Sequence, residues 1–259
     1  MRLSTLLRRA GYTAAIGAGV AVVSGAAVLA LELLAAKRVR HGHPTLGPHM
    51  RMWAGPADGA PLRLVVFGDD LAAGVGVEDA QETVGGVLAE LLAGTGHRVS
   101  LSSAAVSGAS TGDLETQVAR ALLGEAPDVA VILMSGLSEA VSHPAESVAR
   151  LGEAVRRLSA AGSSVVVGTC PDLSSVTAIA QPLRSIAGWR GSRLARAQAP
   201  AIRVAGGVPV DLAARCGALF RADRGMLCEH GLHPSAEGYR ALAHALYPAV
   251  YDAASRARA

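Results

Sequence analysis

The chain has 259 residues, 51% hydrophobic and 17% charged, which is the length of one domain or a compact pair and excludes a disordered polypeptide. Aromatic residues make up only 3%, too few for the base-stacking surfaces that grip single-stranded nucleic acid, so no nucleic-acid partner is expected. The net charge of +3 is uneven: residues 1–40 carry +5 and the remaining 219 carry −2, so the basic end points to a membrane.

Residues 1–9 form a short basic head containing Arg2, Arg8 and Arg9. From Ala10 to Leu31 there are 22 uncharged residues, a helix of about 33 Å at ~1.5 Å per residue and enough to cross a bilayer core of about 30 Å. An N-terminal transmembrane helix serving as a signal anchor is therefore predicted over residues 10–36. A cleaved secretory signal ending near Val28-Leu29-Ala30 is the competing reading. Basic residues flank the span on both sides, so charge does not set its orientation. The head is too short to be a domain, so the functional part must follow the span, on the extracytoplasmic side by preference. Residues 37–60, rich in Gly, Pro and His without periodicity, read as a stalk, and His41, His43 and His49 as solvated linker residues.

Residues 61–259 alternate between β-rich runs and helical patterns. Leu62–Phe67 reads as a strand and Thr83–Ala93 as a helix. Arg98–Leu101 opens a second strand, and Thr111–Leu123 is a helix capped at Ser110 or Thr111. Asp128–Met134 is a continuous apolar run, as in a strand buried on both faces. Pro144–Ala161 is helical, Ser163–Thr169 strand, Gln181–Gln198 helical, Val208–Leu212 strand and Ser235–Ala254 a helix capped by Ser235. This order predicts an α/β fold: a three-layer, flavodoxin-like domain with a central parallel sheet of about five strands. Chemistry is then expected in the loops beyond the strands' carboxyl ends.

The three cysteines make no framework. Cys216 and Cys228, 12 positions apart, could be bridged outside the cytoplasm or stand as free buried thiols, and Cys170 reads as a small core residue.

Four strand-end loops carry a series of motifs: Gly68-Asp69-Asp70-Leu71, Val106-Ser107-Gly108-Ala109-Ser110, Gly136-Leu137-Ser138-Glu139, and Glu229-His230-Gly231-Leu232-His233-Pro234-Ser235-Ala236-Glu237-Gly238-Tyr239. In this order they resemble the SGNH (GDSL-type) hydrolase family of esterases, lipases and acyltransferases, over roughly residues 62–250. The resemblance implies an SGNH-hydrolase-like domain with Asp70 at the nucleophile position, Gly108 and Ser138 at oxyanion positions, His233 as the base and His230 where the family keeps an aspartate. Such chemistry needs an imidazole to deprotonate a hydroxyl, a carboxylate to hold the imidazole, and donors for the developing oxyanion.

The departures fall on the chemistry itself. A carboxylate at position 70 repels the charge that ester hydrolysis creates, and losing a triad nucleophile removes nearly all of its rate advantage. The expectation is a membrane-anchored family member without ordinary serine-esterase activity, binding an acyl-ester, lipid or glycan ligand in the cell envelope. Three other readings stay open. Ser107, Ser110 or Ser138 could serve as nucleophile in an active ester hydrolase or acyltransferase, with Glu229 as a substitute acid. Asp70 could itself be a carboxylate nucleophile. Asp70, His230 and His233 could together form a two-histidine, one-carboxylate metal site. No organic cofactor is implied.

Overall fold

The computed structural model describes residues 46–141 and 143–257. Six strands form one sheet: β1 (Arg51–Ala54), β2 (Ala60–Gly68), β3 (His97–Ser103), β4 (Val129–Leu133), β5 (Ser164–Gly168) and β6 (Val208–Val210), ordered β1-β3-β2-β4-β5-β6. All neighbours pair parallel except β1, which runs antiparallel to β3. The predicted parallel strands are thus present. The addition is β1, an edge strand drawn from the segment read as stalk, so the folded unit begins before residue 60. The predicted membrane span lies outside the described residues. Within them, no helix is long and apolar enough to cross a membrane.

The helices are α1 (Asp70–Ala73), α2 (Val84–Ala93), α3 (Leu114–Ala121), α4 (Leu137–Val141), α5 (Pro144–Ala160), α6 (Leu183–Val204), α7 (Leu212–Ala222) and α8 (Ala236–Arg256). Side-chain alternation along the strands divides the core into two layers. Leu64, Val66, Val129, Val131 and Val166 face Leu88 and Leu92 of α2 and Leu242, Leu246 and Val250 of α8. Phe67, Ala130, Ile132, Val165 and Val167 face Leu114 and Val118 of α3 and Leu151, Val155 and Leu158 of α5. Every residue of β4 is buried, which explains why its sequence is apolar without alternation.

Caps set where the helices begin. The Thr83 side chain accepts the Gly86 N–H, and Ser235 accepts the Gly238 N–H at the start of α8. The helix expected from Thr111 starts later, at Leu114, because Ser110 donates through both N–H and Oγ to Asp113 Oδ2 and holds residues 110–113 as a turn. Tyr239 is fully buried and donates its hydroxyl to the Val75 carbonyl at 2.7 Å, tying α8 to the loop after α1.

Candidate active site

Gly68 ends β2 at φ +139°, and a Cβ there would meet the Leu133 carbonyl oxygen at 1.7 Å, so only glycine lets β2 run this close to β4. Buried Gln117 of α3 locks that end in place. Its Oε1 accepts the Gly68 N–H at 2.9 Å and its Nε2 donates to the Gly68 carbonyl at 2.8 Å. The next two residues, Asp69 and Asp70, are thereby fixed at the carboxyl end of the sheet.

The two carboxylates have different environments. Asp69 is 3% exposed and caps α1. It accepts the Leu71 N–H on Oδ1, and on Oδ2 the Ser135 N–H at 2.8 Å and hydroxyl at 2.5 Å. Burial pushes its pKa up to about 7, against the Ser135 and Leu71 hydrogen bonds and with the help of the neighbouring Asp70 charge. Asp69 is a turn and structural residue, as its place in the motif suggests.

Asp70 points the other way, into a cradle of donors. Its Oδ1 accepts the Gly108 N–H at 2.8 Å and a short hydrogen bond from the Ser107 hydroxyl. Its Oδ2 lies 3.8 Å from His233 Nε2, an ion-pair rather than a hydrogen-bond distance, with both side chains less than one-fifth exposed. Burial pushes the Asp70 pKa up, but His233, Ser107 and Gly108 together outweigh it and hold the carboxyl below its ordinary range. Asp70 is therefore an anion at neutral pH, already occupying a site built for one.

Asp70, Gly108 and His233 thus come together from three loops distant in sequence. The other predicted residues are placed differently. Glu229 is exposed and makes no hydrogen bond to the buried Nδ1 of His233, so in this arrangement it does not hold the imidazole. The imidazole's Nδ1 is buried without a hydrogen-bond partner. His230 packs edge-on against His233, ring centroids 5.3 Å apart, in place of a carboxylate. Ser138 is exposed at the groove wall, and Ser110 is committed to the Asp113 turn. No serine hydroxyl hydrogen-bonds to His233 among the described residues.

Two further expectations are corrected. Cys216 and Cys228 are free thiols: Cys216 faces the Ala241 carbonyl within α8, whereas Cys228 turns to the His233 carbonyl and the His230 ring. The metal-type donors that gather are Cys228, His230 and His233, without Asp70, which lies 3.8 Å from His233 Nε2. The spacing Cys-x-His-x-x-His is visible in the sequence, where Cys228 reads only as a bridge candidate or a free buried thiol. Ser107, a nucleophile candidate in the sequence, donates to Asp70, whereas Gln117 and Ser135 carry no local mark of their positioning roles.

A groove runs from Asp70 and His233 between α7, α8 and the loop after β5. Leu137, Leu173, Leu212, Phe220, Leu227 and Leu232 line it, and its cavity volume is about 100 Å³. Its walls are mainly apolar, with polar groups contributed by Asp70, Ser138 and His233 and by Asp172 and Ser175 of the loop after β5.

Comparison with known proteins places this arrangement among relatives. Residues 66–241 match the model of the GDSL-like Lipase/Acylhydrolase family. The GDSL-like esterase Rv1075c of Mycobacterium tuberculosis is 44% identical over 196 residues, which is 74% of this chain. The chain spans 62% of that relative's length. A lipase/acylhydrolase from Enterococcus faecalis superposes with a TM-score of 0.58 at 22% identity, covering 75% of this chain and 96% of the other. A catalytic mutant of the acetylxylan esterase Axe2 from Geobacillus stearothermophilus gives 0.58 at 16% identity, covering 74% and 95%. These two structural likenesses are of fold alone.

Proposed function

The chain belongs to the GDSL-like lipase/acylhydrolase family, and within it we propose a member whose serine-esterase reaction is silenced and whose groove binds an acyl-chain ligand. One observation carries this reading: the Asp70 carboxylate occupies the cradle of the Gly108 N–H and the Ser107 hydroxyl. In an acyl transfer those donors serve a charge that forms only in the transition state. Here they serve a permanent charge, so they are spent before any ester arrives, and a second anion beside Asp70 would be repelled.

His233 retains a general-base position, but among the described residues its Nε2 faces the Asp70 carboxylate instead of a hydroxyl at position 70. With no carboxylate on Nδ1, nothing holds the ring in the orientation a triad needs, and the Asp70 charge beside Nε2 would trap an imidazolium rather than let it pass its proton on. The apolar walls of the groove favour a chain of methylenes at about 0.8 kcal/mol per buried CH₂. The uncharged run over residues 10–31 supports placing the domain at a membrane surface in the cell envelope, where such ligands are abundant.

A second reading keeps activity: Ser107 donates to Asp70, so the carboxylate could act as its base. The depressed Asp70 pKa opposes it, since a base so weak takes a hydroxyl proton poorly.

The test uses the full-length protein with short-chain p-nitrophenyl esters, a fluorophosphonate probe and a fluorescent fatty acid. The silenced reading expects no turnover above buffer, no labelled serine and saturable binding of the fatty acid. Turnover that survives purification and disappears in His233→Ala would overturn it, and a fluorophosphonate adduct mapped to Ser107 would establish the second reading instead.

A further inference from the structure

The turn that presents His233 to Asp70 assembles a second group of side chains, on the far side of the imidazole, that the groove does not use. An isolated antiparallel bridge joins Leu227 to Pro234, and the Cys228 N–H donates to the His233 carbonyl at 2.9 Å. Between them the chain doubles back at Gly231, with φ +68° and its N–H donating to the Cys228 carbonyl at 2.7 Å. This returns His230 over Cys228. The Cys228 Sγ lies 3.2 Å from Nε2 and 3.4 Å from Nδ1 of His230. One ligand atom from each of Cys228, His230 and His233 lies within 4.8 Å of the others.

Two observations make this more than a chance grouping. The Nδ1 of His233 is buried and has no hydrogen-bond partner, a costly state for a polar atom unless something else engages it. Gly76 also closes the cluster from the first motif loop: a Cβ there would stand 3.3 Å from the His233 Cβ and 3.6 Å from the Cys228 Sγ.

We propose that Cys228, His230 and His233 bind one Zn²⁺. One thiolate and two imidazoles form a borderline-soft donor set that suits zinc and not magnesium or calcium. Zinc–sulfur and zinc–nitrogen bonds of about 2.3 and 2.0–2.1 Å give a tetrahedron with edges of roughly 3.3–3.6 Å. The Cys228–His230 separations already match such an edge, and rotation of the half-buried His230 side chain closes the wider gaps. On binding, the Cys228 S–H bond is replaced by a zinc–sulfur bond and its proton passes to the buffer. Both imidazoles stay neutral, no electrons are transferred, and water takes the fourth position. Zinc on Nδ1 places the His233 proton on Nε2, toward Asp70, so the ion fixes the ring where relatives of the family resemblance use a carboxylate. The site does not depend on what fills the groove.

The test strips the full-length chain of metal with a chelator and titrates it with Co²⁺ as a spectroscopic stand-in, then with Zn²⁺. The site predicts a thiolate-to-cobalt charge-transfer band that saturates at one ion per chain and is displaced by one equivalent of zinc. Histidines elsewhere in the sequence cannot produce that band. Cys228→Ser abolishes it, His230→Ala weakens zinc binding at least about tenfold, and zinc raises the melting temperature of the unsubstituted chain but not of Cys228→Ser. No charge-transfer band in the unsubstituted chain, or a band that persists in Cys228→Ser, overturns the proposal, and the first of these results is independent of how any variant folds.

Discussion

The Oδ1 atom of Asp70 accepts the backbone N–H of Gly108 at 2.8 Å, across 38 residues of sequence. The donor that would meet a reacting oxygen therefore meets a resident one. Restoring a hydroxyl at position 70 and a carboxylate at position 230 should release that donor and orient His233. The double variant Asp70→Ser, His230→Asp is expected to hydrolyse p-nitrophenyl acetate at least ~10²-fold faster than the unsubstituted chain, the scale of one well-placed donor or base. Equal rates would mean that the cradle is not the block.

Asp69 makes stability depend on pH. Its folded pKa of about 7 lies above the ordinary 3.8, so between these values the folded state keeps a proton that the unfolded chain releases. The resulting stabilisation is complete below about pH 4, erodes as pH rises toward 7 and is then gone, a span of roughly 4 kcal/mol. Asp70, with its lowered pKa, acts in the opposite sense, and its contribution is lost only as pH falls through the acid range. Urea denaturation from pH 4 to 8 should show the decline, and Asp69→Asn should flatten it. An unchanged slope in that variant would assign the effect elsewhere.

Gln117 is fully enclosed, and its amide group satisfies both backbone groups of Gly68. In Gln117→Leu the Gly68 N–H is left buried and unpaired, while its carbonyl keeps the Val106 N–H. The expected loss is about 1–3 kcal/mol in denaturant-derived stability. A loss below ~0.5 kcal/mol would show that the strand end is held by other means.

Phe220 covers part of the groove wall. Removing its ring in Phe220→Ala should take about 1.5–3 kcal/mol from the binding of a medium-chain fatty acid, a rise in Kd of about ten- to a hundredfold. Fluorescence titration of the full-length protein measures it. An unchanged Kd would place the chain outside this groove.

The layered fold was legible because burial dictates residue type there. β4 had to be apolar throughout since both of its faces are covered, and the Ser235 cap marked the start of α8 unambiguously. β1 was not legible: Arg-Met-Trp-Ala is a four-residue edge strand held by pairing with β3, and it leaves Trp53 exposed beneath Arg98. At the site, motif register carried Asp70, Gly108 and His233 to one place. It could not foresee which way side chains leave a tight turn, and that decided against Glu229 and brought Cys228 to the two histidines. Asp69 and Gln117 act through burial that only the packed chain creates.

The direction of β1 has a further consequence. Arg51 pairs with Ser102 and Ala54 with Val99, so the polypeptide comes in at the rim where the parallel strands finish, and Gly47 sits against the Ala73 carbonyl beside α1. A leash fastened anywhere ahead of residue 46 thus pulls on the same edge that opens toward Asp70.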